Sequence, residues 1–176
     1  MLEAVRAFVL GTIGSDGTTI EVAKGQDNRV AAPATTNYVV MTSMLQAMLE
    51  TNTTTYHDGA FDPDPGAGER RDLAPRDVTV QLDFHGPASM DLCTMVHAMT
   101  RTSYATDLFA QSGFDVTPLY ATEPRQQGFV NGEQQVENTW IVDLHVQCNP
   151  LITSRQDFAD QLTAGVISVD AAYPAA

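Results

Sequence analysis

Asp83-Phe84-His85 and Asp143-Leu144-His145 are the residues whose types and spacing could do chemistry. In the first run Val78, Val80, Leu82 and Phe84 point one way, and in the second Trp140, Val142, Leu144 and Val146 do the same. Period-two alternation therefore sets each Asp and His on the opposite, polar face. Carboxylates and imidazoles gathered at such spacing could hold zinc, manganese or iron, and a metal-bound water could then hydrolyse an ester. That chemistry needs the two strands to be neighbours. The plainer reading is that one face of any half-buried strand is polar, and no third carboxylate group or glycine-rich approach accompanies these four residues.

Two lesser constellations have plainer readings too. Cys93 and His97 stand one helical turn apart, where a lone pair on a half-buried helix is packing. Asp62-Pro63-Asp64-Pro65-Gly66 has prolines and lacks the further ligand that a calcium loop needs, which makes it a solvated turn. The chain has no GxSxG, Walker loop, GxGxxG or Cys/His nucleophile arrangement. The expectation is a non-enzyme with no catalytic, metal or cofactor-binding residues and no cofactor.

The elements that would position these residues follow from the patterning. Leu2, Val5, Phe8 and Val9 recur at helical spacing and stop before Gly11 and Gly14. Ser15-Asp16-Gly17 reads as a turn, residues 19–23 as a strand, and the stretch to Pro33 as a loop. Tyr38 to Leu49 mixes β-branched residues with helix formers and is assigned a long strand, followed by a Thr-rich strand from Thr51 to Tyr56. A long Pro/Gly-rich loop is expected at about residues 57–76. Ser89 and Ser103 are placed to cap two helices, one with Leu92, Val96 and Met99 on its stripe and one with Leu108 and Phe109, and Gly113 suits the end of the second. Val116 to Tyr120 reads as extended and the segment before Trp140 as a polar loop; a helix from Arg155 to Leu162 and a strand from Val166 to Val169 close the chain.

Composition narrows the function classes. A length of 176 residues fits one domain spanning residues 1–176, and 43% apolar residues can fill its core. With 22 acidic against 9 basic residues the net charge is −13, and Lys24 is the only lysine. Binding to duplex DNA needs cations that displace phosphate counterions, so sequence-specific or stable DNA binding is not expected, nor is adhesion to an anionic membrane. An acidic wall would instead let a polynucleotide slide past. Cys93 and Cys148 are too few for a disulfide scaffold. Charges at Glu3 and Arg6 interrupt any signal-peptide core, and no transmembrane stretch is present, so the expected compartment is a cytoplasm or something assembled there.

An ordered set of short motifs runs through most of the chain. It comprises Gly25-Gln26-Asp27-Asn28-Arg29, Tyr38-Val39-Val40-Met41-Thr42, Thr51-Asn52-Thr53, Thr79 to Ala88, Pro118-Leu119-Tyr120-Ala121, Asn131-Gly132-Glu133-Gln134-Gln135 and Trp140 to Leu144. In this order, from about residue 2 to Tyr173, the chain resembles the bacteriophage neck or tail terminator family, ring proteins between the tail and the head connector. The resemblance implies an α+β fold, a mainly antiparallel sheet with two or three helices packed on one face, in a ring-forming subunit. It also implies a homo-oligomeric ring, commonly hexameric, that ends tail growth and joins the tail tube or tail-end protein to a head-side connector or adaptor. DNA would only pass through the lumen, and the location would be the virion neck after assembly in the bacterial host cytoplasm. A stopper or adaptor of the same connector is the alternative role. The scarce cations Arg29, Arg70, Arg71, Arg101 and Arg125, with Asn131, Glu133 and Gln134, are the expected subunit or partner contacts. The chain departs from the family pattern in its long loop and in Asn138-Thr139 before Trp140, where a basic residue is expected.

Overall fold

A computed structural model describes residues 1–14, 19–25, 33, 35–58, 67–130, 136–157 and 163–165. Its described helices and strands run in the order α1 (Leu2–Ile13), β1 (Glu21–Lys24), β2 (Tyr38–Met48), β3 (Thr53–Asp58), β4 (Ala67–Leu73), β5 (Arg76–His85), α2 (Ser89–Thr100), α3 (Ser103–Gln111), β6 (Val116–Ala121), β7 (Arg125–Val130), β8 (Val136–Cys148) and β9 (Leu151–Asp157). The chain divides into two compact units, one of residues 1–53 and 73–151, the other of residues 54–72 and 152–176.

The larger unit is an α+β layer built on the sheet β1-β2-β5-β8-β6, with β7 also paired to β8. Only β1 and β2 run parallel; the other pairs are antiparallel. In β5 and β8 the alternation does what it foretold: Val78, Val80, Leu82 and Phe84 lie beside Val142, Leu144 and Val146 in one buried cluster, covered by side chains of all three helices. The inward face of α1 is Ala4, Val5, Phe8, Val9, Thr12 and Ile13, and its Phe8 ring meets Phe109 of α3 at 5.5 Å. The helix continues through Gly11 because α3 lies against that turn. The Tyr104 hydroxyl donates to the Gly11 carbonyl at 2.9 Å, and a Cβ on Gly11 would come within 3.2 Å of both that hydroxyl and Leu108.

β6 and β7 run along the same side of β8, β6 against its C-terminal half and β7 against its N-terminal half. At the break between them the Thr122 N–H donates to the Asp143 carbonyl at 2.9 Å, and the Asp143 N–H donates to Thr122 Oγ1 at 3.0 Å. β7 replaces part of the polar loop expected before Trp140. Gln126-Gln127-Gly128 has weak strand preference, and pairing to β8 overrides it.

Helix starts also differ from expectation. Ser89 and Ser103 are first helical residues, after Ala88 and Thr102, and no side chain caps α2 or α3 from those N-cap positions. Instead the Ala88 N–H donates to Asn37 Oδ1 at 3.0 Å, so a residue distant in sequence serves the start of α2. Gly113 follows α3 with φ 73°, the left-handed position expected of it.

The smaller unit holds the sheet β3-β4-β9. Part of the expected loop is strand, since β3 reaches Asp58 and β4 begins at Ala67. Residues 155–157, expected to begin a helix, belong to β9, where the β-branched pair Ile152-Thr153 enters the sheet and carries Arg155 with it. The turn at 15–17, the remainder of that helix to Leu162, the strand at 166–169 and the Asp62–Asp64 turn lie outside the described residues.

Candidate functional site

Opposite the helices, the main sheet presents a polar face that joins strands far apart in sequence. β5 and β8 are neighbours, the condition on which a four-ligand cluster depended. Their register defeats it. Asp83 lies across from Ile141, His85 from Thr139, Gln81 from Asp143 and Thr79 from His145, so the two triplets slide past each other. Each of the four side chains is engaged separately. His145 Nδ1 donates to Asp77 Oδ2 at 3.0 Å under the Tyr120 ring, stacked at 4.2 Å. His85 Nδ1 is 3.2 Å from Thr139 Oγ1, and its ring stacks on Tyr38 at 4.5 Å. Asp143 pairs with Arg125 at 2.9 Å, and Asp83 accepts from Gln81 Nε2 at 2.6 Å. Among the described residues no group of three or more His, Cys, Asp or Glu side chains is disposed to hold a metal ion.

The result is two matching units, each a histidine under a tyrosine and beside a carboxylate. Sequence reasoning missed four members: Tyr38, Asp77, Tyr120 and Glu137. Asp77 had a legible signal, because the β5 alternation extends back to it. Tyr38 and Tyr120 are brought over the histidines by the register of β2 and β6, which single-strand patterning does not contain. Tyr38 also donates to Glu137 Oε2 at 3.4 Å. Around the first unit an open cleft of about 370 Å³ is lined by Pro33, Tyr38, Val40, Gln81, Asp83, His85, Gln127, Thr139 and Ile141.

Burial sets the electrostatics of this cleft. It raises the Asp83 carboxyl above its ordinary 3.8, opposed first by the Gln81 hydrogen bond and then by His85. It lowers the His85 imidazole below its ordinary 6.5, opposed by Asp83 and Glu137. The signs fix the pH response. The unfolded chain protonates position 85 before the folded one, so this group costs stability as pH falls below about 6.5. A raised Asp83 costs stability from about pH 3.8 upward, where the unfolded chain ionises first, and so in full once pH exceeds its folded value. Asp83→Asn is therefore expected to stabilise the protein at pH 7, with the gain vanishing below about pH 3.8. Urea unfolding at both pH values checks this; a loss of stability at pH 7 would contradict it.

Four of the expected contact residues are among the described ones. Arg70 pairs with Asp72 at 2.9 Å and Arg71 with Glu69 at 2.9 Å, both within β4. Arg101 is the exposed residue that ends α2, and Arg125 lies on the polar face. Arg29, Asn131, Glu133 and Gln134 lie outside the described residues. Cys93 is buried in the core cluster, where burial pushes its thiol up to about 12, and it packs there as an apolar group. Where the family pattern expects a basic residue, Thr139 is buried against His85.

A three-helix layer on one face of the main sheet and a hydrogen-bonded, ion-paired polar network on the other make the larger unit an α+β fold. The chain belongs to the phage neck terminator protein family, whose model matches residues 1–172. No curated protein matches the chain. Membership makes it a structural protein of the bacteriophage neck, located at the tail–neck region of the virion and interacting with other head–tail proteins. No described helix is long and apolar enough to cross a membrane.

Proposed function

We propose that this chain forms a homo-oligomeric ring, commonly hexameric in its family, at the head–tail junction, where it ends tail growth and joins the tail to the head connector. The observation that carries the proposal is the family match over residues 1–172. The charge supports it: at net −13, a lumen lined by acidic side chains would pass DNA without holding phosphate. Arg70, Arg71, Arg101 and Arg125 serve as subunit or partner contacts in this reading, Arg101 foremost because it makes no ion pair among the described residues.

Partner identity tests the role. Purified protein should bind the end of assembled tail tubes and cap them against further growth. Binding to the portal in place of the tube would transfer the chain to an adaptor role, and binding to neither would remove the proposal.

A further inference from the structure

The sheet of the larger unit ends in a strand segment that no described strand covers. Among the described residues β1 pairs with β2 as far as Met41, and the Gly25 N–H donates to the Met41 carbonyl at 2.7 Å. Beyond Thr42, the outer edge of β2 from Ser43 to Met48 has no strand partner among the described residues. Every residue of that segment is exposed, and Met44, Leu45 and Met48 are 58%, 62% and 60% exposed. Register sets Leu45 with Thr79 on the polar face and Met48 with Arg76. A bulge between Ser43 and Leu45 and the alternation after it put Leu45 and Met48 on opposite faces.

An unpaired row of backbone groups flanked by apolar side chains on both faces is a template for an added strand, because a flat surface would cover one face and leave the edge open. Natural edges are guarded by lysine, proline or inward charges. This one has none. Residues 30–49 form the longest run without a charged side chain in a chain of net charge −13. A basic partner would be drawn to the carboxylates elsewhere, whereas a like-charged copy meets least repulsion here. The sheet also carries a matching edge. β6 and β7 bound its other side, exposed along Thr117, Leu119, Tyr120 and Arg125 to Gly128. Since β2, β5, β8 and β6–β7 alternate in direction, β2 of one copy set beside β6–β7 of the next pairs antiparallel.

We infer that the Ser43–Met48 edge of one copy adds to the β6–β7 edge of a second copy of this chain, continuing the sheet from subunit to subunit. This rests on the ring reading and supplies its contact: a head-to-tail interface that uses two different edges is the kind whose repetition closes a ring.

The test is the double variant Leu45→Lys and Met48→Lys against a control of equal charge, Met90→Lys and Thr94→Lys, two exposed positions on α2. All four positions are exposed, so folding should persist, checked by thermal melts. Sedimentation velocity should show subunit association of the edge variant weakened at least tenfold and that of the control unchanged. A photo-cross-linker at Gln46, in a mixture of isotopically light and heavy protein, should join light to heavy copies at residues 116–130. Unaltered assembly of the edge variant, equal weakening in the control, or cross-links confined to one copy or to another protein would overturn the edge while leaving the ring standing. Wild-type protein that associates neither in solution nor on tail ends would overturn the ring itself, and the edge with it.

Discussion

Phe8→Ala is expected to lower the stability of this protein by about 3–5 kcal/mol, the range for emptying an aromatic site in a core that relaxes only in part. Phe8 is wholly buried, packs in the cluster between α1 and the sheet, and tilts at 42° against Phe109 of α3. Removing the ring takes away its transfer free energy, the aromatic contact and the wedge that seats two helices together. Because a domain of ordinary stability has only about 5–15 kcal/mol in total, a loss of this size would deplete folded subunits before any assembly step. Urea unfolding should show a midpoint shift with little change in slope, beside Phe114→Ala as an exposed comparison expected within about 0.5 kcal/mol. Equal shifts in the two variants would contradict the placement of α1.

Gly86→Ala is the second large effect, about 2–4 kcal/mol, from backbone strain and overpacking together. Gly86 has φ 101°, which L side chains rarely adopt, and an added Cβ would collide with the Thr36 carbonyl and come within 2.7 Å of Asn37 Oδ1. That oxygen is the acceptor for Ala88 at the start of α2, and Gly86 itself donates to the Asn138 carbonyl at 3.2 Å. The glycine thus ties the end of β5, the start of α2 and β8 at one point, next to His85. Asn37→Ala should reproduce a smaller part of the loss, about 1 kcal/mol, by removing the distant cap alone. Thermal melts of both variants check the order; Gly86→Ala as mild as Asn37→Ala would contradict it.

What was legible in the sequence was what depends on one strand or one helix at a time. The alternation of Val78 to Phe84 and of Trp140 to Val146 identified the central strands and their buried faces, and the stripe from Leu2 to Val9 identified α1. The long strand through Tyr38 to Leu49 also holds, β2 ending at Met48, although Met44 to Met48 favour helix by intrinsic preference; pairing with β5 decides the matter. Pairing was equally decisive where sequence reasoning missed, at Gln126-Gln127-Gly128 in β7 and Ile152 to Arg155 in β9. The polar face shows the limit most plainly. Both Asp-x-His triplets were visible, but whether they combine depends on a register that sets Asp83 across from Ile141 and not from Asp143. Two further registers, of β2 on β5 and of β6 on β8, bring Tyr38 and Tyr120 over the histidines and turn apparent ligands into two stacked Tyr–His pairs.

Electron microscopy of the neck and of the purified protein tests the central claim most directly. A ring of this chain with a central channel is expected at the head-proximal end of the tail, and rings or ring fragments from concentrated protein or protein bound to tail ends. A strictly monomeric protein at high concentration that is also absent from virions would contradict it.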